Sequence, residues 1–249
     1  MLLNAILVPT LALDLSLIER LANSVDYPIR DKVVINTGKP LALVDWVEKH
    51  PDWRVISYGR IGVAAAWNKA PQIWPEEHAW LIVNDDEEFQ PGCLEKLCKA
   101  ADAHAHEAPI IYVNEHDAFD VFVWTRLGVN TYGTFDENFF PAYFEDWEMR
   151  CRFALGGPQP YRITEPFPVK HGKPPAGPRY THLLKQCEPL LRQYFEMKWG
   201  VVSDTKPKFD RPYELGAWVG YWTPVPLLRD RLQQYWDEFW NTPNPSVYE

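Results

Sequence analysis

The sequence predicts an α/β fold, an open and mostly parallel sheet flanked by helices, followed by a helical, aromatic-rich C-terminal extension. The first observation is that apolar and amphipathic segments alternate four times within residues 4–105. Parallel strands need a crossover between them, and a helix in each gap supplies it. The second is that the chain has 249 residues, of which 46% are apolar and 24% charged. This is enough to bury the core of one large domain or two small ones.

The first strand–helix pair covers residues 4–25. Residues 4–10, NAILVPT, form a continuous apolar run that is typical of a strand buried on both faces. The helix after it carries its apolar residues on one face. These residues are Leu13, Leu17, Ile18, Leu21 and Val25. Ser16 and Glu19 have the spacing of a capping box, which marks a helix start.

Three further strand–helix pairs follow in the same order. The predicted strands cover residues 32–38, 53–59 and 78–86, and the predicted helices cover residues 41–50, 61–73 and 91–105. In open α/β sheets, ligands bind outside the carboxyl ends of the strands. Here those ends are residues 9–10, 36–38, 58–60 and 84–86. We therefore expect the binding site where these four segments meet.

The pattern changes after residue 108. Residues 109–116 and 118–126 predict two strands that could pair antiparallel, and residues 135–157 predict a loop and a helix that ends at Gly156-Gly157. A strand and a Pro/Gly-rich loop follow up to residue 180. One or two helices are predicted over residues 181–200, and another over residues 226–241. We divide the chain into two halves of one domain, 1–108 and 109–180, and a helical extension, 181–249.

Composition narrows the classes of function. The net charge of −9 disfavours a mainly electrostatic grip on nucleic acid or anionic lipid. The four cysteines have no zinc-site spacing and predict reduced thiols. No segment is long enough to span a bilayer, and the apolar N-terminus lacks a basic region and a cleavage site, so we expect a cytoplasmic protein, with peripheral membrane association left open. The 12 Trp are interpreted first as core and second as ligand-lining residues.

The triplet Asn84-Asp85-Asp86 follows a buried strand directly. Alternate residues of an extended segment point to the same side, so Asn84 and Asp86 could face one ligand. Their oxygens suit a hard cation such as Mg²⁺ or Mn²⁺. An Asx-rich turn explains the triplet equally well. Glu87 and Glu88 are interpreted as a solvated approach to the next helix.

Two more features carry chemistry. Glu145 and Asp146 lie side by side among aromatic residues, where burial raises the pKa of a carboxyl and makes it a candidate general base. Acidic residues are also favoured in the first turn of a helix for electrostatic reasons alone. His171 follows a strand and precedes a loop; a lone histidine is more often structural than a ligand, and it gains weight only beside the other two features.

In this order, the motifs resemble those of the inverting nucleotide-sugar glycosyltransferases of family 2, which have the GT-A fold and include rhamnosyltransferase-like members. The resemblance covers residues 3–200 and depends on the order of several short motifs. The segments that carry it are ILVPTLALDLSLIERLANSV, VVINTG, GRIGVAAAWNKA, WLIVNDDEEFQPGCLEKL, GTFDENFFPAYFEDWEMRCRFALGG, VKHG and YFEMKWG.

The resemblance implies a role for each matching residue on the donor side. Asp86 would bind the divalent ion, Mn²⁺ or Mg²⁺, that bridges the donor diphosphate, with Asn84 at the first motif position and Asp85 near the ribose. His171 would complete the metal shell. Residues expected around the nucleotide are Pro9, Thr10 and Asn36 at the base, and Asn68 with Arg60 at the ribose or phosphates. Residues 1–108 would thus be the donor-binding half.

On the acceptor side, the resemblance implies that Asp146 is the general base, with Glu145 beside it, in the half formed by residues 109–180. The expected partners are a nucleoside-diphosphate sugar as donor and the hydroxyl of a glycan or small molecule as acceptor. A nucleic-acid acceptor is disfavoured by the acidity of the chain.

Three positions depart from the family pattern, namely Asn84, Asn36 and Arg60, and these put the identity of the donor in question. Two alternatives stay open beside the transferase. One is another nucleotide-sugar-processing enzyme, which would need a Gly-rich phosphate loop that residues 8–14 lack. The other is a non-catalytic nucleotide-sugar or glycan-binding relative.

Overall fold

A computed structural model describes residues 3–38, 43–113, 119–164, 169–171, 177–200 and 226–241, with the backbone alone for residues 170–171 and 177–178. The described part is built on a seven-stranded sheet with the order β3-β2-β1-β4-β7-β6-β8. The pairings β1–β2, β2–β3, β1–β4 and β6–β8 are parallel, and β7 is antiparallel to both of its neighbours. The predicted open, mostly parallel α/β sheet is confirmed.

The strands lie close to their predicted positions. Their bounds are β1 Leu3–Thr10, β2 Asp31–Asn36, β3 Trp53–Ser57, β4 Ala79–Val83, β5 Glu87–Phe89, β6 Ile110–Val113, β7 Val121–Thr125, β8 Tyr161–Ile163 and β9 Val169–His171. The helices are α1 Leu15–Ser24, α2 Val44–Lys49, α3 Val63–Trp67, α4 Lys69–Ile73, α5 Cys93–His104, α6 Arg126–Tyr132, α7 Glu145–Ala154, α8 Gly177–Trp199 and α9 Pro226–Asn241. None of these helices is long and apolar enough to cross a membrane.

The strand order reverses direction at β1. The chain passes from β1 outward to β2 and β3, and then returns to place β4 on the other side of β1. Such a switch point leaves a crevice at the carboxyl ends of the two central strands. These ends carry Pro9-Thr10 and Asn84-Asp85-Asp86. The topology therefore places the acidic triplet beside a crevice.

The core lies on both faces of the sheet, with a third cluster beyond it. One face packs against α1 and α5, and the other holds an aromatic group that includes Trp67, Trp80, Trp124 and Phe135. The third cluster joins the loop at residues 139–144 to α8 and α9. Eight of the tryptophans in the described residues are buried, which confirms core as their first role. The predicted boundary at residue 108 falls between α5 and β6, within one continuous sheet.

Two helix predictions are corrected. α1 begins after Asp14, whose carboxylate accepts a hydrogen bond from the Ser16 backbone N–H at 2.9 Å, so an Asp cap replaces the predicted capping box. The predicted helix over residues 61–73 is divided at Asn68 into α3 and α4. The side chain of Asn68 bonds to both the carbonyl and the N–H of Phe135, and these tertiary contacts hold the break.

The prediction for Glu87 and Glu88 is also corrected, because both residues belong to a strand. β5 pairs antiparallel with β9, and Glu87 is opposite His171. The Phe89 backbone N–H donates to Ser24 Oγ at 3.0 Å, which attaches β5 to α1. Glu87 is 1% exposed. Pairing between residues 80 to 84 positions apart could not be predicted from local charge, which suggested a solvated approach to the next helix.

Candidate active site

A cavity of about 380 Å³ opens at the carboxyl ends of β1 and β4. Residues from both predicted halves and from the C-terminal extension line it. They are Pro9, Thr10, Leu11, Thr37, Ile61, Val63, Ala66, Trp67, Asn84, Asp85, Asp86, Phe119, Asp120, Pro141, Ala142, Tyr143, Glu145, Asp146, Tyr180, Thr181, Leu184 and Trp236. The structure thus brings the acidic triplet and the Glu145-Asp146 pair to one cavity.

The acidic triplet is held by neighbouring elements. Thr10 at the end of β1 donates a hydrogen bond to Asp85 Oδ2 at 2.5 Å. The Asn84 side-chain amide donates to Asp120 Oδ1 at 3.0 Å, and its backbone N–H donates to the Asp120 carbonyl at 2.8 Å. Asp86 is 8% exposed. The triplet is therefore a fixed part of the cavity wall and not a solvated turn.

Burial raises the pKa of Asp85 to about 7, and the charge of Asp86 adds to this effect. The hydrogen bond from Thr10 acts in the opposite direction. Crowded carboxylates raise one another's pKa because each disfavours the charged form of the next. A bound cation would relieve this repulsion, so the oxygen ligands of Asn84 and Asp86 suit a hard divalent ion.

Glu145 and Asp146 open α7, and the two residues before them have unusual backbone geometry. Tyr143 and Phe144 have φ values of 84° and 73°, in the left-handed region that non-glycine residues rarely adopt. Phe144 is held there by its ring, which packs against Phe139, Trp147 and Phe195. Backbone strain of this kind concentrates at functional sites. It turns Tyr143, half exposed, to the mouth of the cavity directly before the two carboxylates.

Both carboxyls of the pair have raised pKa values. Burial and the charge of Asp146 raise the pKa of Glu145 to about 8. Burial also raises the pKa of Asp146, while backbone N–H groups and the Arg150 guanidinium act against the rise. A carboxylate with a raised pKa is a stronger base, so either side chain could take a proton from a hydroxyl.

The stability of the protein is expected to fall between pH 5.5 and 8.5 because of Glu145. Its pKa is about 8 in the folded state against an ordinary value of 4.5. In that window the folded state keeps a proton that the unfolded state has lost, so stability is lost as the pH rises. Glu145→Gln removes the titration. Relative to the native protein, we expect the variant to gain ~1–3 kcal/mol in unfolding free energy between the two pH values, measured by urea denaturation.

The control for this experiment is Glu95→Gln on the exposed side of α5, where the carboxylate pairs only with Lys99 in the described structure at 2.9 Å. Its stability should follow that of the native protein at both pH values. Parallel curves for the native protein and Glu145→Gln would contradict the burial of an ionisable Glu145.

His171 reaches this region through β9, where its backbone is opposite Glu87, the residue that follows Asp86. The His171 side chain lies outside the described part of the chain, so its role as a metal ligand stays a prediction. Among the described residues, no group of three His, Cys, Asp or Glu side chains is arranged to hold a metal ion.

Three predicted donor-side residues do not line the cavity in the structure. Arg60 pairs with Asp237 of α9 at 3.0 Å. Asn68 is buried and bonds to Phe135 and Glu137. Asn36, also buried, accepts a hydrogen bond from the Gly38 N–H at 2.9 Å and so shapes the turn after β2. The nucleotide contacts of these three residues stay predictions, whereas the predicted Pro9, Thr10, Asn84, Asp85 and Asp86 all line the cavity.

Other residues of the cavity were not predicted. Asp120 precedes β7, and because β7 is antiparallel to β4, its start lies where β4 ends. Asp120 falls inside the strand predicted over residues 118–126, and the pairing of that strand with β4 was not predicted. Tyr180 from α8 and Trp236 from α9 are separated from the acidic triplet by more than 90 residues. No local pattern distinguished them from core aromatics.

A buried charge network supports α7 from behind. The Lys198 ammonium pairs with Asp136 and Glu148, each at 2.7 Å, and Arg152 pairs with Glu148 at 2.7 Å. Tyr194 donates a hydrogen bond to Asp136 at 2.7 Å. The network joins the loop before α7, α7 itself and α8, so the segment YFEMKWG anchors the helix that presents Glu145 and Asp146.

Comparison with known proteins agrees with this architecture. The model of the family described as Glycosyl transferase family 2 matches residues 15–155, more than half of the chain. The chain belongs to this family. The family match and the two structural neighbours described next together confirm the predicted GT-A type of fold.

Two solved glycosyltransferases are similar in fold to this family 2 chain. The mannosyltransferase PcManGT from Pyrobaculum calidifontis, solved with GDP-Man and Mn²⁺, matches with a TM-score of 0.60 and 15% identity over 99% of this chain and 77% of its own. S. aureus TarS 1–349 in complex with UDP-GlcNAc matches with a TM-score of 0.52 and 15% identity, over 77% of this chain and 67% of its own.

A relative by sequence is a galactofuranosyl glycosyltransferase of Leishmania donovani, 40% identical over 62 residues. The match covers 25% of this chain and 14% of that protein. The chain therefore spans only a small part of the length of that relative.

Proposed function

We propose that the chain transfers a sugar from a nucleoside-diphosphate sugar to an acceptor hydroxyl by single displacement, with inversion and with a divalent metal ion. The observation that carries the proposal is the cavity, which brings together the carboxylates of β4 and those of α7. Five carboxyl side chains line it, and none of its described lining residues is Lys, Arg or His. A donor diphosphate beside these acidic side chains would therefore need a bound cation to balance its charge.

The metal would be held by Asp86 with Asn84, and by His171. When bound, a divalent ion stabilises the negative charge that develops on a diphosphate leaving group. The chain's own residues supply the rest. Thr10 and Pro9 at the end of β1 would position the nucleotide beside the triplet, and Asp85 would contact the ribose.

Asp146 would act as the general base. The carboxylate accepts the proton of the acceptor hydroxyl as the oxygen attacks the anomeric carbon, and the bond from that carbon to the diphosphate breaks on the opposite side. Attack and departure on opposite faces give inversion in one step. Its location in a cavity with apolar walls supports this role, since burial raises the pKa of Asp146 and strengthens it as a base.

The metal dependence is tested with UDP, GDP and dTDP, each with and without Mn²⁺, by thermal shift. We expect one of them to raise Tm in the presence of Mn²⁺, because a ligand that binds only the folded state stabilises it. Asp86→Asn should abolish the metal-dependent part of the shift. The matched control, Asp102→Asn, changes an exposed aspartate of α5 and should keep it.

Catalysis is separated from simple binding by a donor-hydrolysis and transfer screen across UDP-, GDP- and dTDP-sugars. Release of the nucleoside diphosphate with Mn²⁺ supports the transferase. A Tm shift without turnover of any donor would instead support a non-catalytic nucleotide-sugar-binding protein. Equal shifts with and without Mn²⁺ would overturn the role given to Asp86.

A further inference from the structure

We infer that the acceptor is an uncharged sugar, held between the carboxylates of the cavity and an aromatic wall formed by Tyr143, Tyr180 and Trp236. The inference rests on the proposed function, because it names the acceptor class of the same site. These three residues, defined here as the aromatic wall, all line the cavity that holds Glu145 and Asp146.

The charge of the cavity excludes anionic acceptors. Its carboxyl side chains are Asp85, Asp86, Asp120, Glu145 and Asp146, and its described lining residues include no cationic partner for an acceptor phosphate or carboxylate. Arg150 acts on Asp146 electrostatically, but its guanidinium lies over the Phe119 ring and is not part of the lining. A metal ion at Asp86 would be used by the donor diphosphate. An acceptor anion beside Asp146 would find acidic side chains and no cationic side chain among the described lining residues.

The aromatic wall suits the apolar face of a sugar ring. Tyr143 is 50% exposed, Tyr180 of α8 is partly exposed, and Trp236 of α9 is 1% exposed and packs against Tyr180. The Tyr180 and Trp236 ring centroids are 6.4 Å apart at an interplanar angle of 65°, so the buried Trp236 supports the orientation of Tyr180. A sugar ring has C–H groups on its faces and hydroxyls around its rim. Aromatic side chains can pack against the faces, and neighbouring carboxylates can accept hydrogen bonds from the hydroxyls.

Glu145 supplies a specific group for such a hydroxyl. It is 7% exposed, and among the described residues none forms a hydrogen bond with its Oε2 atom. A buried carboxyl oxygen left in this state costs free energy unless a ligand bonds to it. A sugar hydroxyl adjacent to the one that reacts at Asp146 could donate this bond.

The wall is anchored separately from the donor end of the cavity. Arg229 of α9 donates to the Glu137 carbonyl at 2.9 Å and lies over the Phe140 ring, and the Trp236 ring packs 5.4 Å from the same Phe140. The Arg60–Asp237 ion pair attaches α9 to the loop after β3. The residues that would select the acceptor therefore lie on elements other than the strand ends that would bind the nucleotide.

The test compares acceptors in pairs that differ by one charged group. The pairs are methyl glucoside with methyl glucuronide, methyl galactoside with methyl galacturonide, and mannose with mannose 6-phosphate. Each is offered with GDP-mannose, UDP-galactose or UDP-GlcNAc and Mn²⁺ to the full chain. For every pair in which transfer occurs, we expect kcat/KM at least about 30-fold higher for the uncharged member, which is a difference of about 2 kcal/mol.

The wall is tested by Tyr143→Ala. We expect the KM for the uncharged acceptor to rise about tenfold, with a smaller effect on the KM for the donor. The matched control is Tyr161→Ala on β8, another exposed tyrosine, which should leave the acceptor KM within about twofold. An unchanged acceptor KM in Tyr143→Ala would overturn the role of the wall.

Donor hydrolysis without acceptor, measured in the same samples, separates the two proposals. If the donor is hydrolysed and transfer to the charged members is equal or faster, the acceptor inference is overturned. The same holds if the donor is hydrolysed and no uncharged sugar accepts transfer. Both outcomes leave the proposed transferase function intact. If no donor gives either hydrolysis or transfer, the proposed function and this inference are overturned together.

Discussion

Replacing Asp146 by Asn is expected to reduce the rate of sugar transfer by about 10²–10⁴-fold, the range typical of a lost general base. Asn has the same shape as Asp but cannot accept the proton of the acceptor hydroxyl. The side chain lies in the first turn of α7, where backbone N–H groups that stabilise the carboxylate also tolerate an amide oxygen. The change should therefore affect kcat far more than the KM for donor or acceptor.

The fold should survive Asp146→Asn. Burial raises the pKa of Asp146, which means that its charged form is held at a cost in the folded state. The neutral amide removes that cost, so Tm at pH 8 should be equal to or higher than that of the native protein. Asp102→Asn on α5 is the control for removal of one negative charge. Full transfer activity in Asp146→Asn would show that another residue is the base.

Replacing Lys198 by Met is expected to lower the unfolding free energy by ~3–5 kcal/mol, the cost of breaking a buried ion pair from one side. Lys198 is the ammonium between Asp136 and Glu148, and both carboxylates are fully buried. Arg152 would remain with Glu148, but among the described residues Asp136 would keep hydrogen bonds from Tyr194 and Asn138 alone. Urea denaturation at pH 7 measures the loss.

The loss should shrink at low pH. Burial alone would raise the pKa of Asp136, but the Lys198 ammonium and the hydrogen bonds outweigh it, so its pKa in the folded state is lowered. The contribution of the pair is thus present above the ordinary Asp pKa and lost as the pH falls through the folded value. Lys185→Met, on the exposed side of α8, is the matched control and should change stability by less than ~0.5 kcal/mol. Equal stability of the two variants would contradict a network that supports α7.

Local sequence patterns predicted the elements whose formation depends on the burial and backbone preferences of a few neighbouring residues. The strands β1 to β4 are apolar runs between turn residues, and their alternation with helices implied parallel pairing. The same rule about strand ends placed Asp85 and Asp86 at a ligand site, and both line the cavity. The pattern failed for Glu87, because the pairing of β5 with β9 depends on a segment far along the chain.

The residues predicted on the donor side show the same difference between what a local motif predicts and what long-range contacts determine. Asn68 stands in a motif that resembles the family's, yet its amide is used by Phe135 and Glu137. The resemblance implies a nucleotide contact for Arg60, and in the structure its guanidinium pairs with Asp237 of α9 at 3.0 Å. Sequence proximity to a strand end identifies candidates, whereas the partners of each side chain decide which of them face the cavity.

The sequence by itself determined the α/β class, the family, the acidic triplet and the Glu145-Asp146 pair, because each depends on periodicity or on a short contiguous motif. Only the tertiary structure decided that these two acidic groups share one cavity, that Asp120 joins them, and that Tyr180 of α8 and Trp236 of α9 line the same cavity. The physical reason is that a binding cavity is a property of packing. Its members come from segments that meet only when the core clusters on both faces of the sheet and around α8 and α9 are buried together.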